Sequence, residues 1–181
     1  MHKITNSGWV EVVTGCMFSG KTEELLRRLR RAEIAGQEVA AFKPSLDDRY
    51  GEGTVGSHNG RQWDATVVDP DEGVWDIPDE LNGEEVVAID EANFFSEELV
   101  GVCESLADDD RRVVVSGTDE TILAEYVDKY QAICAQCGEP ATRNQRLVDG
   151  EPAHVDDPTI VVGADESYEA RCRNCHTLRG D

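Results

Sequence analysis

The stretch Trp9-Val10-Glu11-Val12-Val13-Thr14-Gly15-Cys16-Met17-Phe18-Ser19-Gly20-Lys21-Thr22 decides the fold. Its first half is short and β-branched, as in a buried strand, and its second half fits G-x-x-x-x-G-K-[ST] at every required place. Behind it, roughly from Lys21 to Ala35, Leu25, Leu29 and Ala32 share a helical stripe that Leu26 widens, and Gly36 stands where a C′ residue belongs. Strand, glycine loop and helix in that order form a P-loop, a cradle for a polyphosphate. Backbone N–H groups along the loop, those of Met17, Phe18 and Ser19 included, wrap the anion, and Gly15 and Gly20 permit its close approach. Lys21 would neutralise the outer phosphates of ATP, and the Thr22 hydroxyl would ligate Mg²⁺.

Such a site needs an acidic residue at the carboxyl end of a neighbouring apolar strand. Val86-Val87-Ala88-Ile89-Asp90-Glu91 supplies it. Asp90 is the metal-side carboxylate, and Glu91, one residue further on, points elsewhere and could take a proton from a hydroxyl or a water. Glu23 and Glu24 in the first helical turn reach Arg27 and Arg28 at i,i+4, and the arginines here read as a solvated helix face matched to the dipole.

Further apolar runs at Val39 to Phe42, Ala65 to Val68, Val86 to Ile89 and Arg112 to Val115 are too uniform for a one-sided sheet and read as buried parallel strands. A helix is expected over Ser96 to Ala107, with Ser96 as its cap. Strand and helix alternate, so the expected fold is α/β: a P-loop NTPase-type, mainly parallel sheet flanked by helices. Asn59-Gly60 reads as a hairpin turn between Val55-Gly56-Ser57 and Gln62-Trp63, and the acidic stretch from Asp69 to Glu85 as a surface connection. Trp63, Trp75 and Cys103 are assigned to packing, Cys16 to the loop, and His58 and His154 to solvated surface.

Past residue 131 the texture changes to turns, short strands and cysteines, which places residues 1–131 in an ATP-binding domain and 132–181 in a small zinc-ribbon-like lid. Cys134-x2-Cys137 and Cys172-x2-Cys175 have metal-ligand spacing, and four thiolates close a tetrahedral structural Zn²⁺ site. His176 is a spare ligand beside a shell that four cysteines already fill. Zinc would supply folding free energy to a segment poor in apolar residues.

The chain has 181 residues, with 38 acidic against 17 basic and a formal net charge of −21. Such a surface repels nucleic acid and anionic membranes. There is no apolar run long enough to span a bilayer and no signal-peptide layout, so a cytoplasmic protein is expected. The basic residues are 13 Arg and only 4 Lys, and with the acidic excess this composition resembles cytosolic proteins of salt-accumulating organisms.

Several segments in order resemble the zinc-containing thymidine kinases. They are Gly15 to Thr22, Phe42-Lys-Pro-Ser-Leu-Asp-Asp-Arg-Tyr50, Ser57-His-Asn-Gly60, Asp90-Glu-Ala-Asn-Phe-Phe95 and Tyr168-Glu-Ala-Arg-Cys-Arg-Asn-Cys175. The resemblance implies transfer of the γ-phosphoryl group of ATP to the 5′-hydroxyl of thymidine or deoxyuridine, in a homotetramer inhibited by the triphosphate end product. It implies Glu91 as general base, Arg49 beside the reacting hydroxyl and Asp47 at the sugar. Met17, Phe94 and Asn144 would lie against the nucleoside, and Tyr168 would close over it. Backbone groups of Val161, Val162, Gly163 and Ala164 would hold the base from a loop between the cysteine pairs. Three departures accompany it: Asn93 where the family usually has Gln, Asn144 where it usually has Thr, and a chain that passes from Asp119 to Thr121 without a Phe-Arg-Gly-like stretch. A P-loop ATPase with a regulatory role and a zinc-ribbon interaction module is the alternative reading, and a zinc module on a dead nucleotide site is a third, which intact Lys21, Thr22 and Asp90 oppose.

Self-repulsion among the excess carboxylates opposes the compact state in dilute buffer and is screened by salt. The melting temperature is therefore expected to rise between dilute buffer and molar KCl; an unchanged value would contradict this account.

Overall fold

A computed structural model describes residues 8–47, 53–56, 60–118, 125–156, 168–177 and 179–180. Strand β1 (Trp9–Gly15) leads through a loop into helix α1 (Lys21–Ile34), and β2 (Val39–Pro44) follows. A short antiparallel hairpin, β3 (Thr54–Gly56) with β4 (Gln62–Asp64), precedes β5 (Thr66–Val68). Then come β6 (Val86–Ile89), α2 (Glu98–Asp108), β7 (Arg112–Gly117) and β8 (Tyr126–Tyr130). Six of these strands form one parallel sheet in the order β5-β2-β6-β7-β1-β8.

Strands buried on both faces must be apolar on both, which explains the unbroken runs. Val13, Ala41, Val86, Ala88 and Val114 turn to one face, where Leu25, Leu26, Leu29 and Ala32 of α1 cover them. Val10, Val12, Phe42, Val87, Ile89, Val113 and Val115 turn to the other and meet Leu99, Val102, Cys103 and Leu106 of α2. Each of the three α1 leucines is fully buried, worth about 1.5–3 kcal/mol apiece. That exceeds any difference in helix propensity, so docking on the sheet holds α1 in place. Its end is closed at Gly36, whose N–H donates to Glu33 O, while Gln37 N–H donates to Ala32 O.

Three readings of the chain are corrected. The stretch from Asp69 to Glu85 is not merely a surface connection: it contains a 3-10 turn, Val74–Glu80, whose Val74 and Ile77 are fully buried against α2 and the sheet. Ser96 does not cap α2 with its side chain; the helix starts at Glu98 and the buried Ser96 hydroxyl finds no partner among the described residues. The α1 arginines are not one solvated face either. Arg27, Arg30 and Arg31 are exposed, but Arg28 is buried and donates to Glu24 at 2.9 Å, Glu11 at 2.7 Å and Asp128 at 2.5 Å.

Glu11 is the centre of that network. It sits in β1, accepts two bonds from Arg112 of β7 at 2.8 and 2.9 Å, and takes the Trp9 indole N–H at 2.7 Å. Burial pushes the Glu11 carboxyl upward, but Arg112, Trp9 and Arg28 outweigh it and hold its pKa below the usual carboxylate value.

Beyond the large sheet, β9 (Ala132–Ile133) pairs with β10 (Pro140–Ala141), and β11 (Arg143–Val148) lies between β12 (Glu151–Pro152) and β13 (Tyr168–Arg171). Ala132, Ala141, Ala170, Cys134 and Cys172 form a second small core, which Cys16 joins from the loop after β1. Among the described residues no helix is long and apolar enough to cross a membrane.

Because the folded pKa of Glu11 is depressed, its contribution is complete above the unfolded carboxylate value and is lost as pH falls through the folded value. Glu11→Gln is expected to cost about 3–5 kcal/mol near neutrality, since it leaves two buried guanidinium groups short of their counter-charge. Thermal unfolding should show that this penalty shrinks below about pH 4 and, the network being buried, changes little between dilute and molar KCl.

Candidate active site

Ligands of parallel α/β sheets bind outside the carboxyl ends of the strands, and the loop after β1, Asp47 after β2, and Asp90 and Glu91 after β6 all lie at those ends. The loop after β1 turns into α1 at Gly20, which serves as N-cap at φ 86°, a left-handed conformation that suits glycine and leaves the helix terminus without a side-chain cap. The helix therefore turns the positive end of its dipole, uncapped by any side chain, to the loop. Gly15 is required for space: a Cβ there would lie 2.5 Å from Tyr130 O and 2.6 Å from Ser19 Oγ. Ser19 Oγ is buried with no hydrogen-bond partner among the described residues. Lys21 is buried too, and its Nζ folds back over the loop to donate to Cys16 O at 3.0 Å. A glycine loop with the buried Ser19 hydroxyl inside it, a buried ammonium folded over it and a helix terminus without a side-chain cap fits a polyphosphate.

Two strands away, β6 ends in Asp90 and Glu91, both buried. Asp90 N–H donates to Phe42 O of β2 at 3.0 Å, which continues the sheet one residue past the strand. Glu91 then adopts φ 50°, ψ 43°, a left-handed conformation rare outside glycine and worth about 1–3 kcal/mol of strain. This breaks the alternation of the strand, so the two carboxylates are aimed independently. The turn continues through Ala92–Phe94, leaving Phe94 half-buried, and Asn93 Oδ1 accepts the Thr118 N–H at 3.0 Å, tying this turn to the end of β7. Thr22 and Asp90 are oxygen donors suited to Mg²⁺.

At the end of β2, Asp47 is buried and its carboxylate lies 3.5 Å from Lys43 Nζ. Lys43 is fully buried and also donates to Thr54 O of the hairpin at 3.0 Å. Reading the sequence missed Lys43 as a determinant. The available signal was a lysine in the middle of a strand buried on both faces, which must have an anionic partner nearby.

The four cysteines do come together: their sulfurs all lie within 4.8 Å of one another, and Cys137 and Cys172 are 3.7 Å apart. A tetrahedron with Zn–S near 2.3 Å has edges of about 3.8 Å, so the cluster fits structural zinc. Pairs far apart in sequence meet because β11 and β13 align, and Ala135 N–H donates to Ala170 O at 2.9 Å. Burial opposes ionisation of Cys134, but backbone N–H groups of Cys172, Cys137 and Gln136 bring its thiol down to about 6, while the neighbouring sulfurs of Cys137 and Cys172 push Cys175 up to about 12. His176 is not a member of the cluster. Cys103, by contrast, is a core thiol pushed up to about 12 by burial.

The zinc module also touches the phosphate cradle. Asn144 Oδ1 accepts the Met17 N–H at 2.7 Å, and Cys16 Sγ donates to Ala141 O at 3.3 Å. Tyr168, half-buried, opens β13 opposite Arg146. Trp63 packs against the α1-side core, while Trp75 is half exposed with its ring against Gly101. His154 lies beside Asp156 at 3.3 Å, a contact that reading the sequence did not identify. Arg49, Val161, Val162, Gly163, Ala164, His58, Asn59, Asp119 and Thr121 lie outside the described residues.

The thymidine kinase family model matches residues 8–176, nearly the whole chain. The chain belongs to the thymidine kinase family. It is 70% identical to the thymidine kinases of two Halobacterium salinarum strains, R1 and NRC-1, with 99% of each chain covered. It is 63% identical to that of Haloquadratum walsbyi, again over 99% of both chains. The salt-adapted composition read from the sequence accords with these halophilic relatives. The alignment with the H. salinarum proteins runs over 193 positions against 181 residues here, so at least 12 positions have no residue in this member of the family.

Cys172→Ser removes one corner of the tetrahedron, and zinc content, measured by atomic emission, is expected to fall well below one per chain with faster proteolysis after residue 131. One zinc retained per chain would contradict the closed four-cysteine site.

Proposed function

We propose that this family member transfers the γ-phosphoryl group of ATP to the 5′-hydroxyl of thymidine or deoxyuridine, as an enzyme of pyrimidine nucleotide salvage. The observation that carries the mechanism is the placement, at the carboxyl ends of one sheet, of a glycine loop capped by Lys21 and of Glu91 in a left-handed turn. The segment Gly15–Thr22 is the P-loop, whose backbone and whose Ser19 hydroxyl and Lys21 ammonium serve the phosphates. Met17 contributes through its side chain, because its N–H is engaged by Asn144. Lys21 keeps one of its three N–H donors on Cys16 O and turns the others to the β and γ oxygens, whose charge it neutralises. Thr22 and Asp90 would hold Mg²⁺, which would supply charge neutralisation to the phosphates.

Glu91 accepts the proton of the 5′-hydroxyl as the O5′–P bond forms and the bond from Pγ to the bridging oxygen of ADP breaks. Arg49 offsets negative charge on the transferring group. Asp47, held by Lys43, takes the sugar. Met17, Phe94 and Asn144 line the nucleoside site, Tyr168 closes over it, and backbone groups of Val161, Val162, Gly163 and Ala164 pair with the base edge. We divide the chain into an ATP-binding domain, 1–131, and a zinc-binding lid, 132–181, whose closure excludes water and limits ATP hydrolysis. A cytoplasmic homotetramer without nucleic-acid or membrane partners follows from the family resemblance and the acidic surface.

Thymidine monophosphate formation from ATP and thymidine, assayed in molar KCl with Mg²⁺, tests the proposal. Glu91→Gln is expected to lower kcat by at least about 10²-fold, the usual worth of a general base, with ATP binding retained. Near-normal turnover of that variant would remove Glu91 from its role, and ATP turnover independent of thymidine would favour the regulatory ATPase.

A further inference from the structure

We propose that Asn144 is a positioning residue for the phosphate loop, and that through it the zinc module sets nucleotide affinity; the inference rests on the P-loop reading above. Asn144 belongs to β11, where it lies opposite Ala170 of β13, two residues before the zinc ligand Cys172. Its Oδ1 accepts the N–H of Met17, 127 residues earlier in the chain, at 2.7 Å. The carbonyl of that same peptide unit, Cys16 O, accepts Lys21 Nζ at 3.0 Å and the Ser19 N–H at 3.4 Å.

A trans peptide is planar, and its N–H and C=O point in opposite directions. Drawing the Met17 N–H toward the zinc module therefore obliges Cys16 O to face the inside of the loop. There it anchors Lys21 and closes the turn onto Ser19. The loop's own closure is the longer of these bonds, so it would not hold the peptide plane alone. The Cys16 side chain strengthens the attachment, since it is buried in the small core formed by Ala132, Cys134, Ala141, Ala170 and Cys172, and its Sγ donates to Ala141 O. Phe18, next along, already stands at φ 62°, an unfavourable conformation for a non-glycine residue. Without the Asn144 acceptor the 16–17 peptide is free to rotate, Lys21 loses its anchor, and the loop must be ordered again each time a nucleotide binds.

The experiment titrates Mg–ADP and thymidine separately onto full-length wild type, Asn144→Leu, Asn144→Asp and Lys21→Met, in molar KCl, with zinc content measured for each. Asn144→Leu is expected to keep one zinc per chain and weaken ADP about tenfold, the ratio for one lost hydrogen bond in a buried setting, with a smaller effect on thymidine. Asn144→Asp preserves the acceptor, so the Met17 amide should stay protected from hydrogen exchange in that variant and lose protection in Asn144→Leu. An Asn144→Leu protein that binds ADP within twofold of wild type, or an Asn144→Asp protein whose Met17 amide exchanges as fast as in Asn144→Leu, overturns the inference. Lys21→Met separates it from the reading beneath: full ADP affinity in that variant refutes the P-loop itself. As a measurement on the unaltered protein, the Met17 amide should be protected from hydrogen exchange, and rapid exchange would equally overturn the proposal.

Discussion

Glu11 places a carboxylate inside the strand on which everything else is hung. An isolated charge at that depth would cost several kcal/mol, so the surrounding elements must deliver cations to it: Arg112 from β7 on one side and Arg28 from α1 above. Arg28 in turn binds Asp128 of β8, and Glu125, just before that strand, accepts the Val10 N–H at 2.9 Å. The same set of ion pairs thus fixes β1 between its neighbours and α1 upon the sheet. The loop between β1 and α1 is held at both ends by this arrangement. For a protein of net charge −21, buried pairing has a further consequence, because solvent salt modulates surface repulsion while leaving this network largely unscreened.

The C-terminal module solves a different problem. Its apolar core consists mainly of alanines and cysteines, too little area to hold two short ladders together. Four converging sulfurs make up the deficit once zinc is bound, and they do so where Cys16 enters the same core from the phosphate loop. The module is therefore more than an appendage: its folding and the shape of the nucleotide cradle share residues.

Much of this was legible in the chain because the signals are local. The glycine loop, the leucine stripe of α1, the apolar strands and the cysteine pairs each depend on spacings of a few residues, and each appears where its spacing implies. The interior of the acidic stretch was not legible: Val74 and Ile77 are single apolar residues among acids and prolines, and only the neighbouring α2 reveals that they are core. Ser96 illustrates the converse, a residue of the right type in the right place whose hydroxyl does not cap the helix. Lys43 and Arg28 were placed in a strand and on a helix but not in their roles, since their partners come from elsewhere in the fold.

The sequence by itself determined the alternation of strands and helices, the family and the four clustering cysteines, because these reside in residue identity and short-range order. Tertiary structure alone decided which of two charges in one segment is buried, which way the 16–17 peptide faces, and that Asn144 meets Met17 across 127 residues. Long-range pairing follows from strand order and register, and those depend on the packing of all the elements together, a quantity that no single stretch of chain encodes.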